Sequence, residues 1–285
     1  AIIRPSLTYW ADAWRRLKEN KLAIIALVVL ALVVIMAFVG PMIRPFTYDQ
    51  QDFTKINQEP SSEHWFGTDA LGRDIFVRCW SGAKISLFIG MVSAIINVTI
   101  GIIYGGISGY LGGYVDIIMM RIVEIIYSIP ELLWVILLMV VLGPGLKTII
   151  IAISISGWGG MARLVRGQVL QLKQMEFVLA AKTLGADTSR IIAKHLIPNA
   201  MGPIIINLTF QVPGAIFTEA FLSYIGLGIQ PPLASWGSLA QEGTLMLLIK
   251  PYQMFFPALL ISITMLAFNI LGDGLRDSLD PRLRK

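Results

Sequence analysis

Six apolar runs divide the chain, at about residues 22–39, 85–108, 115–142, 147–165, 200–226 and 252–271. Each is roughly long enough to cross a hydrocarbon core of about 30 Å. A segment in lipid must satisfy its own backbone hydrogen bonds, so each run predicts a transmembrane helix. The period-two alternation of a lipid-facing barrel strand is absent. Within the third run, "YSIPELL" carries Pro130, which removes one rung of the helical ladder and predicts a kink or a restart. Gly109, Gly112 and Gly113 permit a tight reversal between the second and third runs, and "GPGLK" turns the third into the fourth. The expected fold class is all-α, a polytopic membrane protein of six transmembrane helices.

The polar intervals complete the pattern. Residues 1–21 place Trp10, Trp14, Leu17 and Lys21 at helical spacing among Arg15, Arg16 and Lys18. That suits either a helix lying in the headgroup region of membrane lipids or a positive flank that sets orientation. The first span, 22–39, is read as a retained helix, because no small-residue cleavage site follows it. Residues 40–83 form an external segment rather than a domain, with Thr68 and Asp69 as predicted N-caps of a helix entering the second span. Residues 84–274 make a five-helix core, and 275–285 a polar tail. The core is interrupted at 170–199, where "EFVLAAKTLGADTSRIIAKHLIPN" begins at Glu176. Phe177, Ala180, Ala181 and Leu184 share one face of a helix there, Gly185 can take a left-handed cap, Asp187 or Thr188 can start a second helix, and Pro198 marks the return. Small side chains let another surface approach the backbone closely, which suits docking into a groove. A plain amphipathic loop fits the same pattern.

Composition supports the membrane reading: 55% of residues are hydrophobic and 14% charged, against about 25% charged in a soluble domain. The formal charge of +5 could suggest nucleic acid, but its placement argues for orientation instead. Sixteen Lys and Arg fall on the side that holds both ends and residues 170–199, and seven on the other, which predicts that the first side is cytoplasmic. A single cysteine, Cys79, excludes an internal disulfide. No His-Glu-x-x-His motif suggests a metal, and no phosphate loop of the GxxxxGK[ST] form is present, so no catalytic residue and no cofactor is expected in this chain. "GISG" places Ser108 in a protease-like pattern, but its histidine base is lacking, since His64 and His195 lie outside the predicted spans. Polar residues in spans are costly in lipid and face a bundle interior, a partner or water. Asn97, Asn207, Gln211 and Glu219 are therefore candidates for a substrate pathway or gate, with interhelical hydrogen bonding as the plainer reading, and Arg121 can pair with Glu124.

Six blocks carry a resemblance over nearly the whole chain: "WRRLKENKLAIIAL", "HWFGTDALGRDIFVRCWSGAKISL", "GYLGGYVDIIMMRIVEIIYSIP", "ARLVRGQVL", "FLSYIGLGIQPPLASWG" and "LAFNILGDGLRDSLDPRLR". With Ala180, Ala181, Gly185, Ile197 and Pro198, they resemble the C-type permease subunit of dipeptide, oligopeptide and nickel ABC importers. Leu179 stands where the family's coupling motif has Glu, and His195 where it has Ile. The resemblance implies a type I importer transmembrane fold in a bacterial or archaeal inner or plasma membrane. It implies pairing with a homologous permease, two cytoplasmic ATPases that bind ATP and Mg2+, and an extracellular or periplasmic binding protein that delivers peptide. Phe177, Ala180, Ala181, Leu184, Gly185 and Arg190 are the expected ATPase contacts. A nickel importer is the alternative, and an ion-coupled secondary transporter a more distant one.

Overall fold

A computed structural model describes residues 9–279, in which the regular elements are helices. Helix α1 (Tyr9–Glu19) leads into α2 (Lys21–Ile43) through Asn20, whose side chain accepts the Ala23 amide at 3.1 Å and so starts the second helix. Trp10 and Trp14 are half exposed on α1, whereas Ala13 and Leu17 are buried, so Leu17 lies on a different face from the two indoles.

The second predicted span begins later than expected. Helix α3 (Ile75–Leu111) is capped by Asp74, which accepts the Val77 amide at 2.9 Å. Thr68 and Asp69 are not its N-caps, because both are consumed in a buried turn. The Asp69 carboxylate accepts the Leu71 and Arg73 amides at 2.8 and 3.0 Å, and the Thr68 hydroxyl donates to the Lys55 carbonyl at 2.5 Å. Residues 44–74 thereby fold as a cap on one end of the bundle. Phe66 stacks on Phe256 at 3.8 Å, the Tyr252 hydroxyl donates to the Gln58 carbonyl at 2.7 Å, and His64 pairs with Asp74 at 2.7 Å.

Helices α4 (Gly113–Ser128) and α5 (Glu131–Leu142) meet at a break of 81°. Its cause is Pro130, which forces Ile129 into extended backbone (φ −92°, ψ 121°) and donates no N–H. Then follow α6 (Leu146–Leu172), α7 (Glu176–Thr183), α8 (Thr188–Arg190), a π-helical turn (Ile191–Leu196), α9 (Ile197–Asn199), α10 (Met201–Tyr224), α11 (Trp236–Thr244) and α12 (Tyr252–Leu279). Five helices, α2, α3, α6, α10 and α12, are long and apolar enough to cross a bilayer, and the bent pair α4–α5 counted as one gives the sixth span.

The centre of the bundle is the α3–α6 pair. Gly101, Gly105 and Gly109 recur every four residues on α3 and form a groove for α6. A methyl at Gly101 would sit 2.5 Å from Met161 Cβ, and one at Gly109 2.9 Å from the Arg166 carbonyl oxygen. Lipid tails are as apolar as leucine, so helices in a membrane associate through such close packing rather than through hydrophobic burial.

Candidate functional site

Five helices converge on a cavity of about 520 Å³ in the bundle. Asn97 comes from α3, Tyr127 from the end of α4, Glu131 from the start of α5, Gly157 from α6, and Asn207 and Gln211 from α10. The break at Pro130 delivers Tyr127 and Glu131 to the same chamber, because the chain bends there instead of carrying them round a straight helix. Asn97 packs on Gly157, where a methyl would collide with its amide. Gln211 Nε2 donates to Asn207 Oδ1 at 2.9 Å, one turn along α10. Three of the four polar span residues expected to line a pathway therefore share one chamber.

The fourth does not. Glu219 is fully buried, outside the cavity lining, and accepts the Ser86 and Ser223 hydroxyls at 2.8 Å each. Ser86 accepts the Trp236 amide at 3.2 Å, and Trp236 Nε1 donates to the Cys79 carbonyl at 2.9 Å. Glu219 is thus a junction between α3, α10 and the start of α11, and not a lining group. Sequence reading had no means to tell a solvated acid from one enclosed by serines. It also passed over Glu131, whose only signal was an acid directly after the proline of an apolar run. Arg121 and Glu124 pair at 2.6 Å, as their spacing suggests, on an exposed face of α4.

At the cap end of α3, Arg78 is buried and bridges Asp69 and Glu242, the latter at 2.5 and 3.0 Å. Arg73 joins the same two acids at 2.7 and 2.9 Å. This network fastens the cap to α11 and borders a second cavity of about 560 Å³. Two arginines shared by two carboxylates satisfy charges that would each be costly to bury alone.

The segment expected to dock a partner lies at the opposite end of α3. The π-helical turn packs by Gly106, and Lys173 Nζ donates to the Gly109 carbonyl at 2.9 Å. Arg166 clamps Asp116 through two bonds of 2.5 and 2.6 Å, and Ser108 donates to the same carboxylate. His64 sits with Asp74 at the far end, so Ser108 has no histidine partner among the described residues.

Helix α7 ends as the sequence predicts. Gly185 has φ +83°, its amide donates to Lys182 and the Ala186 amide to Ala181, which closes a Schellman cap. Asp187 starts the next helical run, and the Ser189 hydroxyl holds its carboxyl below the usual carboxylate range. The π-helical register falls just ahead of Pro198, which has no N–H to continue an ordinary ladder.

The expected docking face divides in two. Phe177, Ala180 and Leu184 are exposed, with Leu184 at 88%, and Gly185 and Arg190 are exposed beside them. Ala181 is buried to 8% and packs inward with Val178, next to the cluster formed by Ile191, Leu196 and Ala200. Ala181 therefore belongs to the root of the segment and is corrected from partner contact to internal packing. A spacing of four puts residues only 40° apart on a helix, and an inward edge begins within that angle.

These features define a multi-span membrane component with a central chamber and a presented helical arm. Residues 81–285 match the family model described as the binding-protein-dependent transport system inner membrane component, and residues 8–60 match the N-terminal TM domain of oligopeptide transport permease C. The chain belongs to this family of binding-protein-dependent transport permeases. It is 57% identical over 286 residues to the dipeptide transport system permease protein DppC of Bacillus subtilis (strain 168), covering 100% of this chain and 89% of that protein. It is 56% identical over 284 residues to the oligopeptide transport system permease protein OppC of the same organism, covering 100% and 93%. Among solved structures, an inward facing conformation of the MetNI methionine ABC transporter superposes with a TM-score of 0.58 at 18% identity, covering 70% of this chain and 94% of that one. That likeness supports the type I importer transmembrane fold.

Proposed function

We propose that this chain is a pore-forming subunit of an ATP-driven importer of short peptides. The observation that carries the reading is the arm: an exposed face of Phe177, Ala180 and Leu184 on a helix whose root is tied to α3 and α6, two walls of the chamber. The dipeptide and oligopeptide permeases it resembles over its full length support peptide as the solute. Nickel is the second reading, and it lacks support here, because no group of three His, Cys, Asp or Glu able to hold a metal occurs among the described residues.

In this reading the arm lies in the cytoplasm, where the excess of Lys and Arg places it. A second, homologous permease faces the open side of the chamber, an ATPase grips each arm, and a binding protein delivers peptide at the capped end. The ATPases bind the ATP and Mg2+, since this chain has no phosphate loop. Concentrating a solute tenfold costs about 1.4 kcal/mol, which the ATPases supply. Displacement of α7 passes through Lys173 and the Arg166–Asp116 clamp into α3, α4 and α6, and so reaches the chamber walls.

The test is Leu184→Asp in the complete importer reconstituted in liposomes. The expected result is an assembled complex whose ATPase no longer responds to peptide-loaded binding protein and which imports nothing. Unchanged stimulation would refute the docking role. Peptide accumulation without the ATPase subunits would refute the importer in favour of an ion-coupled transporter.

A further inference from the structure

The chamber carries a chemical bias. Among the described residues Glu131 is the only charged one that lines it, and its carboxylate has no hydrogen bond or ion pair with another of them. Asn97 is 4% exposed, and its Oδ1 has no hydrogen-bond partner; Gln211 Oε1, also shielded, has none either. Each of these oxygens is a strong acceptor, and shielded acceptors left without a donor are costly. Among the described residues no basic side chain lines the cavity to supply one. The nearest candidate by contact, Arg163, is spread over the Tyr127 ring at 4.7 Å and does not line the cavity.

We infer that the chamber binds a primary ammonium group, with the Glu131 carboxylate as its counter-charge and the oxygens of Asn97 and Gln211, once their amides turn to face it, as further acceptors. An alkylammonium offers three N–H donors and no acceptor, which matches one carboxylate and two carbonyl oxygens. A bond from a charged donor to a carboxylate is about twice as strong as a neutral one, and more so where water is excluded. An anionic group would meet the Glu131 carboxylate and, as donors, only neutral hydroxyls and amides such as those of Ser156, Thr218 and Asn207. Tyr127, at the other side of the Pro130 break, also lines the chamber, with its ring engaged by Arg163. The inference rests on the peptide reading above and sharpens it: the part of the peptide this subunit holds is the amino end, independent of side-chain identity. The function of the break in α4–α5 is then to place a carboxylate where the solute passes.

The experiment measures equilibrium binding to the solubilised importer complex without binding protein, using two radiolabelled probes. Alanyl-alanine amide keeps the ammonium and lacks the carboxylate; N-acetyl-alanyl-alanine has the reverse. Wild type is expected to bind the amide at least about tenfold more tightly than the acetylated peptide. Glu131→Gln is expected to weaken amide binding about tenfold and erase that preference, while Glu131→Asp retains most of it. Equal binding of the two probes by wild type, no amide binding by wild type, or unchanged preference in Glu131→Gln each overturns the inference. The wild-type comparison of probes decides the matter even if Glu131→Gln fails to assemble. If ATP-driven peptide import persists in any of those cases, the ammonium site alone fails; if import is absent as well, the peptide reading fails with it.

Discussion

Gly105→Ala is the sharpest test of how the bundle is held together. A methyl at this position would lie 3.0 Å from both the Ala162 carbonyl carbon and the Arg166 amide nitrogen, with the Ala162 carbonyl oxygen closer still. These are backbone atoms of α6, so no side-chain rotation can relieve the collision and the helix itself must move. Overpacking of this kind costs about 1–3 kcal/mol, and the better helix propensity of alanine returns about 0.5–1 kcal/mol. The expected net loss is therefore about 1–2 kcal/mol. Gly167→Ala on the facing helix is the control, because nothing lies within 4 Å of its added methyl; it should be neutral or stabilise by up to about 1 kcal/mol. Reversible unfolding in mixed detergent measures both, and the two variants should be separated by about 2 kcal/mol. If Gly105→Ala is as stable as Gly167→Ala, the glycine groove does not set the helix distance and the packing argument is wrong.

Three further outcomes follow from the buried polar contacts and the arm. Glu219→Ala should destabilise by about 1–3 kcal/mol, since it strips the acceptor from two buried hydroxyls, while Glu219→Gln should recover part of the loss; equal stability of the alanine variant in the same unfolding assay would dismiss the junction. Arg78→Met leaves Asp69 and Glu242 facing each other with Arg73 alone, so a loss of about 3 kcal/mol is expected, with faster proteolysis of residues 44–74; cleavage at the wild-type rate would contradict the fastening role. Gly185→Ala forces a side chain into a φ of +83° and should cost about 1 kcal/mol locally, seen as faster amide exchange across α7, whereas Gly185→Asn, which tolerates that region better, should exchange nearly as wild type.

The spans were legible because a lipid solvent imposes a minimum length of apolar sequence, and the Pro130 break and the Gly185 cap were legible because each follows from the backbone of a single residue. The turn at Thr68 and Asp69 was not, since both residues are good caps in isolation and only Arg73 and Arg78, brought in by the fold, claim the carboxylate first. The same limit applies to Ala181 and Glu219, whose roles depend on which neighbour a helix face meets. Glu131 reads as an ordinary acid in a first helical turn until the bend turns it into a cavity. The glycine stripe of α3 went unread, because glycines spaced by four become a packing face only when α6 is seen to lie in them.

Helix α3 is 37 residues without interruption, about 55 Å at 1.5 Å per residue and well beyond a 30 Å core. It is a beam that overhangs the bilayer, with a pair of arginine-linked acids bolted to one tip and the arm's lysine resting on the other. A tilt of about 5° around its middle swings both tips by roughly 2.4 Å in opposite directions. News of a movement at either face can thus reach the other by leverage alone, without any helix having to unwind.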